Sequence, residues 1–578
     1  MLSKTWETSQ RKYNVLVERD VRILMTDGTE ISADIFRPET DEKCPAILGM
    51  HAFRQQPQSA PIKPNAFGSG GFLNPGEEKT RGWIEAGDSN FFVRRGYVHV
   101  IANVRGTGKS GGKFEWKGPQ ELRDTYEVIE WIAKQPWCTG KVGMFGVSYF
   151  AIIQLLVAAL NPPSLKCLFA PHAVTDYYRD QVYRGGILGY KFTQGVAKGY
   201  SDPRCESITQ KKFGDEEFKK RLANALADED ITAIPGLADI LRNPHQGVNP
   251  FIVDLLVNPL DGPYWEERKA KHEAIKMPAY IGGCWGNYGL HLPGAFRSWE
   301  NLKAPKRMVI GPPIYFDRPL YQPQYESLRW FDYWLKGIDT GIMDEAPVRL
   351  FVMGTNKWKE TSDWPLPETK WIPFYLHEDK LLSEHEHWPN EGADSFEDSP
   401  WQRGSLEYCS PTLVEDTEVI GPISLNLYAS TTDDEVLWFV SLREVDPRGN
   451  EKVLTRGWLR GTHREVDWKR SKRWAPYHPH TRSEPLTPGN IYEFNIAIVP
   501  TGNLFKAGSR IKVKISCTDD VPTHAFEEIA SGNIRRQRPS RITVFHDAEH
   551  PSHLLLPVTS GNVLGTFISG GKPYLNFS

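Results

Sequence analysis

One serine motif carries the clearest chemical signal in the sequence. Residues 146–149 read Gly-Val-Ser-Tyr and stand between a short apolar strand pattern and an apolar helix pattern. A G-x-S turn in that context is typical of a nucleophile elbow, which lifts the serine Oγ above the sheet and points the next backbone N–H into an oxyanion hole. We therefore predict Ser148 as a nucleophile and Tyr149 as an oxyanion donor. Phe150 replaces the last glycine of the full motif, so an ordinary βα turn is the alternative interpretation.

Three histidines are candidates to line the pocket beside this serine. His51 and His172 each end a segment predicted as a strand, and His291 lies in the loop that follows the predicted strand at 278–282. The carboxyl edge of a parallel sheet is where α/β proteins form their sites, so all three are expected near that edge. For any one of them, a capping or hydrogen-bonded loop role is the simpler interpretation.

The segments around the motif alternate between strand and helix patterns. Short apolar runs predict strands, and apolar residues spaced along one face of 121–135 predict a helix. Strands that alternate with helices indicate βαβ units and a mostly parallel sheet. The strand patterns of this first part lie at 22–26, 30–36, 46–50, 98–104 and 142–146.

The sequence pattern changes twice along the rest of the chain. Between about 177 and 270 the sequence shows charged amphipathic helices, which predict a helical insertion. After about 370 it shows many short strands with alternating apolar residues, a pattern typical of a sandwich or jelly roll. We therefore predict an α/β fold. The predicted domains are an α/β core at 1–176 and 271–371, a helical cap at 177–270 and a jelly roll at 372–578.

Composition excludes several classes of protein. The 578 residues carry 69 Lys and Arg against 72 Asp and Glu, which argues against a nucleic-acid partner. The longest apolar run is about half of what a bilayer span needs, and the N-terminus has no signal-peptide pattern, so we expect a soluble, cytoplasmic protein without a membrane partner. The seven scattered cysteines suit neither disulfides nor zinc, and neither a metal motif nor a dinucleotide motif is present. We expect no metal and no cofactor.

Several longer stretches carry a family resemblance. They include V-R-G-T-G-K-S-G-G-K-F (104–114), W-C-T-G-K-V-G-M-F-G-V-S-Y (137–149), D-Y-Y-R (176–179), V-R-L-F-V-M-G (348–354) and E-H-P-S-H-L-L-L-P (549–557). With these stretches in this order, the sequence resembles the X-Pro dipeptidyl-peptidase-like serine hydrolases, the cocaine esterase-like family. This resemblance implies an α/β-hydrolase core, a helical cap and a C-terminal jelly roll, and it implies cleavage of a small-molecule ester or amide through a Ser-His-Asp triad.

The chain departs from the family pattern at three functional positions. Asn287 stands where the resemblance implies the aspartate, and Tyr315 stands where it implies the histidine. Phe53 stands where the family has a tyrosine whose hydroxyl completes the oxyanion hole. An Asp→Asn change in a working triad lowers kcat by about 10⁴, and loss of one oxyanion donor costs another ~10²–10³. Standard turnover by this triad is therefore in doubt.

Three hypotheses remain open from the sequence. The first is hydrolysis of a small, largely apolar ester, amide or related acyl substrate by Ser148 with a relocated base, for which His291 is the best candidate. The second is a non-hydrolytic enzyme, a cyclase, lyase or acyl transferase, in which Tyr315 donates a proton. The third is a non-catalytic binding protein that keeps the fold. Fold analogy alone does not choose between them, because function depends on the site.

Overall fold

A computed structural model describes most of the chain. The fold and all contacts below refer to the described residues, which are 7–53, 84–191, 194–195, 204–313, 321–386, 392–520 and 532–561. Tyr315, one of the sequence-predicted site residues, lies outside them.

The first part of the chain alternates strands and helices, as its hydrophobic periodicity predicts. Its strands are β1 (Val15–Leu24), β2 (Glu30–Pro38), β3 (Cys44–His51), β4 (Val98–Asn103), β5 (Cys138–Phe145) and β6 (Leu165–Pro171). Its helices are α1 (Ser89–Val93), α2 (Pro119–Ala133) and α3 (Tyr149–Ala158). Every residue of β3 and α3 is buried, which explains why both segments are apolar on all sides.

A helical segment separates this part from the rest of the α/β unit. After a π-helical turn (Tyr178–Val182) and a two-stranded ribbon, β7 (Tyr183–Arg184) with β8 (Ile187–Leu188), the chain forms short helices. We call the helices of this segment the helical cap. They are α4 (Ile208–Phe213), α5 (Asp215–Ala227), α6 (Glu229–Thr232), α7 (Pro235–Arg242), α8 (Asn249–Leu256) and α9 (Pro263–Glu266).

The α/β unit is then completed. Its remaining elements are β9 (Ala279–Cys284), a 3-10 turn (Trp285–Asn287), α10 (Leu292–Asn301), β10 (Lys306–Gly311), α11 (Tyr321–Phe331), a π-helical turn (Asp332–Lys336), β11 (Val348–Val352) and β12 (Lys357–Thr361). The ten strands of this sheet run in the order β1-β2-β4-β3-β5-β6-β9-β10-β11-β12.

The pairing of this sheet places the predicted site residues on one edge. Neighbouring strands from β4 to β11 in that order pair in parallel, while β1, β2 and β12 join antiparallel at the two ends. Because parallel strands end at the same edge, the carboxyl ends of β3, β5, β6 and β9 lie side by side. His51 ends β3, Ser148 follows β5, His172 follows β6 and Asn287 follows β9.

The C-terminal part is a separate β domain. Eleven strands form it, with a main path β14-β13-β23-β17-β20-β19-β18-β21-β16 and with β15 paired to β22. The predicted fold class, an α/β unit with a helical segment and a β-rich C-terminal domain, is confirmed. The strands are β13 (Lys370–Leu376), β14 (Leu382–Ser383), β15 (Ala393–Asp398), β16 (Ser405–Cys409), β17 (Thr417–Thr431), β18 (Leu437–Val445), β19 (Glu451–Arg460), β20 (Tyr492–Phe505), β21 (Arg510–Ser516), β22 (Ser540–Phe545) and β23 (His553–Ser560).

One largely buried arginine, whose side chain is 12% exposed, joins the three parts of the molecule. Arg179, at the start of the cap segment, pairs with Asp176 at 3.0 Å and with Asp261. Its Nη2 also donates to the backbone oxygen of His478 in the β domain at 2.8 Å. Lys269 Nζ donates to Asp261 at 2.7 Å and completes the charge balance. A contiguous apolar core runs beneath this network through all three parts. Among the helices of the described residues, none is both long enough and apolar enough to cross a bilayer.

We expect Arg179→Met to destabilise the protein by about 3 kcal/mol, because removing one partner leaves a buried carboxylate without its full compensation. Urea unfolding followed by fluorescence measures the change. The matched control is Arg482→Met, whose guanidinium forms exposed pairs with Glu465 at 2.8 Å and Glu484 at 3.1 Å. Exposed pairs contribute about 0–1 kcal/mol, so equal losses in the two variants would contradict the prediction.

Candidate active site

Ser148 adopts the strained backbone of a nucleophile elbow. Its φ is +58° and its ψ is −118°, a combination that a non-glycine residue rarely adopts, and it occupies the N-cap position of α3. The side chain of Ser148 is half-buried, while Tyr149 after it is buried. The turn therefore presents one hydroxyl at the carboxyl edge of the sheet, at the start of a helix whose first N–H groups have no intrahelical acceptor.

Two glycines make room for the departure at Phe150. A Cβ on Gly146 would lie 2.2 Å from the Cβ of Phe150, and a Cβ on Gly49 of β3 would lie 3.0 Å from its ring. In the usual elbow motif the last glycine allows the helix to approach the sheet closely. Here the bulky residue, Phe150, is on the helix, and the space for its ring is left by Gly49 and Gly146 on the strand side. The turn therefore closes in the same way.

Gln154 holds the elbow helix against the sheet. Its Nε2 donates to the backbone oxygen of Phe169 in β6 at 3.1 Å, and its Oε1 accepts from the Phe169 N–H at 3.1 Å. Gln154 is the polar residue that interrupts the apolar run of α3. Because it is fully buried, its amide needs these partners, and they fix the helix at one register against β6.

His291 and Asn287 meet Ser148 in a hydrogen-bonded chain. The Ser148 Oγ lies 3.2 Å from His291 Nε2, and His291 Nδ1 lies 2.8 Å from the side-chain amide of Asn287. Both side chains come from one stretch after β9, in which Asn287 closes the 3-10 turn and His291 caps α10. The arrangement is a serine, an imidazole and an orienting amide in the order that an acyl-transfer site requires.

A serine–histidine contact is not by itself a site in this protein. Three other pairs occur among the described residues. None of the three serines has the positive φ of Ser148, and none follows a strand of the parallel sheet at its carboxyl edge. The pairs are Ser89 with His99 at 2.9 Å, Ser298 with His272 at 3.0 Å and Ser383 with His377 at 3.2 Å.

The imidazoles at this edge are neutral. Burial, with a contribution from nearby His172, holds the pKa of His291 well below 6.5. Burial lowers the pKa of His172 to about 3, and its ring lies 6.0 Å from that of His291 in an edge-on contact. His172 itself has a φ of +59°, so two strained residues flank His291. A neutral imidazole is able to take a proton, which a base for Ser148 must do.

Phe53 and His51 lie on the other side of the elbow. The ring of Phe53 packs edge-on to that of Tyr149 with centroids 5.8 Å apart, and His51 stacks on Phe150 at 4.9 Å. The backbone N–H of Phe53 donates to His51 Nδ1 at 3.1 Å. Burial lowers the pKa of His51 to about 3, with the nearby charge of Lys117 as a second cause. This neutral histidine therefore acts as an acceptor toward the Phe53 loop.

Two further polar residues beside the elbow were not singled out from the sequence. Lys117 and Glu121 are both buried, and both contact Tyr149. In the sequence they have the i, i+4 spacing of an ordinary exposed helical ion pair, so no signal marked them. The described residues hold no group of three or more His, Cys, Asp or Glu that could bind a metal ion.

Comparison with known proteins matches the chain to two family descriptions. Residues 27–314 match the X-Pro dipeptidyl-peptidase (S15 family), and residues 340–555 match the X-Pro dipeptidyl-peptidase C-terminal non-catalytic domain. The first match covers most of the α/β unit with its cap, and the second covers β11 and β12 of that unit together with the C-terminal β domain.

Individual relatives cover nearly the whole chain at moderate identity. The cocaine esterase of Rhodococcus sp. is 26% identical, with 94% of this chain and 99% of the relative covered. A putative serine esterase of Mycobacterium bovis is 26% identical, with 86% and 90% covered. The crystal structure of a CocE/NonD family hydrolase from Staphylococcus aureus superposes with a TM-score of 0.78 at 25% identity and covers 94% of each chain.

The strain at Ser148 gives a stability prediction that does not depend on activity. We expect Ser148→Gly to be more stable than Ser148→Ala by about 1–3 kcal/mol, because only glycine adopts this backbone without strain. Thermal and urea unfolding of the two variants measure the difference. Ser298 in the interior of α10 is the control, where Gly should be about 1 kcal/mol less stable than Ala. A stability order at position 148 that matches the order at 298 would show that the elbow is not strained.

Proposed function

The chain belongs to the X-Pro dipeptidyl-peptidase (S15) family of hydrolases, and on that premise we propose that it hydrolyses a small, largely apolar ester or amide through Ser148. His291 is the proposed general base, and Asn287 orients it. The observation that carries the proposal is the contact chain of 3.2 Å from Ser148 Oγ to His291 Nε2 and 2.8 Å from His291 Nδ1 to Asn287.

The positions of the protons on His291 decide whether the Ser148–His291–Asn287 hydrogen-bond chain is active. With the Asn287 Nδ2 toward His291 Nδ1, the amide donates, and the ring proton sits on Nε2 and points at Ser148. A half-turn of the Asn287 amide turns Oδ1 toward Nδ1, which then carries the proton. Nε2 is left with a lone pair directed at Ser148 Oγ. The proposed active state is this second one, and the pair switches to it without any backbone movement.

The proposed reaction follows two acyl-transfer steps. His291 Nε2 takes the Ser148 proton while Oγ attacks the substrate carbonyl carbon, and the backbone N–H of Tyr149 donates to the resulting oxyanion. The tetrahedral intermediate collapses as His291 returns the proton to the leaving alcohol or amine, which leaves an acyl-serine. Water, deprotonated by His291, then attacks the acyl carbon, and release of the acid restores the Ser148 hydroxyl.

The surroundings of the elbow support an apolar acyl group. Phe53, which is half-buried, replaces the family's tyrosine and packs on Tyr149, so this side of the elbow carries aromatic carbon where a hydroxyl would be expected. The three histidines near the serine are neutral, and a neutral wall does not favour a charged acyl group.

Loss of the proposed nucleophile tests the function directly. We expect Ser148→Ala and His291→Ala each to lower kcat for short-chain nitrophenyl esters by at least about 10³-fold, because each removes a member of the acyl-transfer unit. Ser148→Ala should also lose labelling by a fluorophosphonate probe. Ser298→Ala, which breaks the pair with His272, is the matched control and should keep both signals. Wild-type protein that neither labels nor hydrolyses would overturn the proposed function.

Asn287→Asp tests the orienting role of the amide. An aspartate fixes the active tautomer and stabilises the imidazolium, so we expect kcat to rise by about tenfold or more. In the wild type, burial holds the pKa of His291 well below 6.5, so kcat/KM should stay high at mildly acidic pH and fall only when the base is protonated. The added carboxylate raises that pKa, so the acid limb should move to higher pH in the variant. An unchanged kcat and acid limb would contradict a role of Asn287 through His291.

A further inference from the structure

A fully buried lysine lies behind the nucleophile elbow. The side chain of Lys117 is 0% exposed, as is rare for an amine. Two successive non-glycine residues with positive φ, Trp116 at +41° and Lys117 at +61°, turn the chain inward just before α2. A strained pair of this kind persists only where the surroundings hold it firmly.

The contacts of Lys117 converge on Tyr149. Its Nζ donates to the Tyr149 backbone oxygen at 3.2 Å and lies over the Tyr149 ring. Glu121 completes a triangle, because its Oε1 accepts from the Tyr149 hydroxyl at 2.8 Å and lies 3.7 Å from Lys117 Nζ. A carbonyl oxygen, a carboxylate and an aromatic face all favour the ammonium form of the lysine.

The same loop is fastened to the helical cap. Arg268, which is fully buried after α9, donates from Nε to the backbone oxygen of Trp116 at 3.1 Å and from Nη2 to that of Glu115 at 3.2 Å. The indole of Trp116 packs on Phe251 of α8 with centroids 4.8 Å apart. The cap therefore sets the position of Lys117, and Lys117 contacts the residue that follows the nucleophile.

Resting on the proposed function, we propose that Lys117 is a positioning residue of the oxyanion hole. Its ammonium fixes Tyr149, whose backbone N–H is the oxyanion donor, and it places a positive charge beside the position where negative charge develops. The chain lacks the tyrosine hydroxyl that Phe53 replaces, so this charge supplies stabilisation from behind the donor. A preorganised charge in a water-excluded site acts more strongly than it would in water.

A second group of a lysine, a carboxylate and a tyrosine makes similar contacts away from Ser148, and we call it the second triangle. Lys336 pairs with Asp332 at 3.7 Å with the same i, i+4 spacing, and it lies 3.8 Å from the centroid of the Tyr97 ring. The Tyr97 hydroxyl donates to Asp332 at 2.6 Å. This triangle lies beside the amino-terminal half of β5, where Lys141 Nζ donates to the Leu335 oxygen. Ser148 follows the opposite end of that strand, so the second triangle is a matched control.

Substitution of the two lysines separates the two roles. We expect Lys117→Met to lower kcat and the rate of fluorophosphonate labelling by about 10²-fold, the range for loss of an oxyanion stabiliser, with KM changed less than about threefold. Lys336→Met should keep the wild-type kcat in the fraction that folds. Equal kcat in Lys117→Met, Lys336→Met and wild type would overturn the proposal.

A double variant separates a loss of kcat from a loss of stability. Lys117→Met with Glu121→Gln removes both buried charges and leaves no unpaired carboxylate, so it should unfold closer to the wild-type temperature than Lys117→Met alone. The proposal expects the double variant to remain about 10²-fold slow despite this recovery. Recovery of kcat together with stability would show that Lys117 has only a structural role.

The pH profile supplies a readout that a structural role would not move. Burial lowers the pKa of Lys117 well below 10.5, so the ammonium is lost as the pH rises through that pKa. Wild-type kcat should therefore fall on the alkaline side, and the fall should be absent in Lys117→Met. If wild-type protein neither hydrolyses esters nor labels, the proposed function fails. If wild type is active and its alkaline limb persists unchanged in Lys117→Met, only the role of Lys117 fails.

Discussion

The positive φ at Ser148 is the constraint on which the rest of the site depends. A strand followed by a strained residue and a buried helix lifts one hydroxyl out of the sheet, and that geometry persists only if the helix cannot relax away. Gln154 ties the helix to β6, and Gly49 and Gly146 remove the side chains that would push Phe150 outward. The usual motif has its last glycine on the helix, whereas this chain has Phe150 there and a glycine, Gly49, on β3 opposite it. The turn is therefore kept with a different glycine.

The proposed base and its proposed orienting group come from one short segment. In the family pattern the acid and the histidine follow two different strands, whereas Asn287 and His291 both follow β9 and lie four residues apart. A single turn then fixes both ends of the imidazole, which reduces the number of loops that must be held in register. This arrangement has an electrostatic cost, because an amide does not stabilise an imidazolium as a carboxylate does. Burial disfavours the imidazolium of His291 further.

The sequence predicted the fold more completely than the surroundings of the site. Period-2 and period-3.6 patterns identified the α/β unit, the helical segment and the β domain, because burial on one face or two imposes those periods directly. The elbow was visible because its local context is distinctive. Lys117 and Glu121 were missed, since charges four residues apart are usually exposed. Here contacts with segments distant in the sequence, Tyr149 among them, accompany the burial of the pair. The four serine–histidine pairs likewise depend on contacts between distant segments, which no spacing encodes.

Two of the three departures from the family pattern, Asn287 and Phe53, act on one quantity, the charge near the serine. An aspartate at 287 would place a buried anion next to His291, and a tyrosine at 53 would add a hydroxyl donor on the Phe53 side. With Asn287 and Phe53 in their places, the described groups within this edge of the sheet are neutral imidazoles, an amide and aromatic rings. Lys117 and Glu121 are then the nearest buried acid–base pair to Tyr149 that the described contacts show, and the proposal places a positive charge on Lys117. A site with few charges of its own responds more strongly to one fixed charge beside it, because little else screens that charge in a medium of low polarity. The loss of the family's polar groups and the burial of a lysine behind the elbow are therefore consistent parts of one electrostatic arrangement.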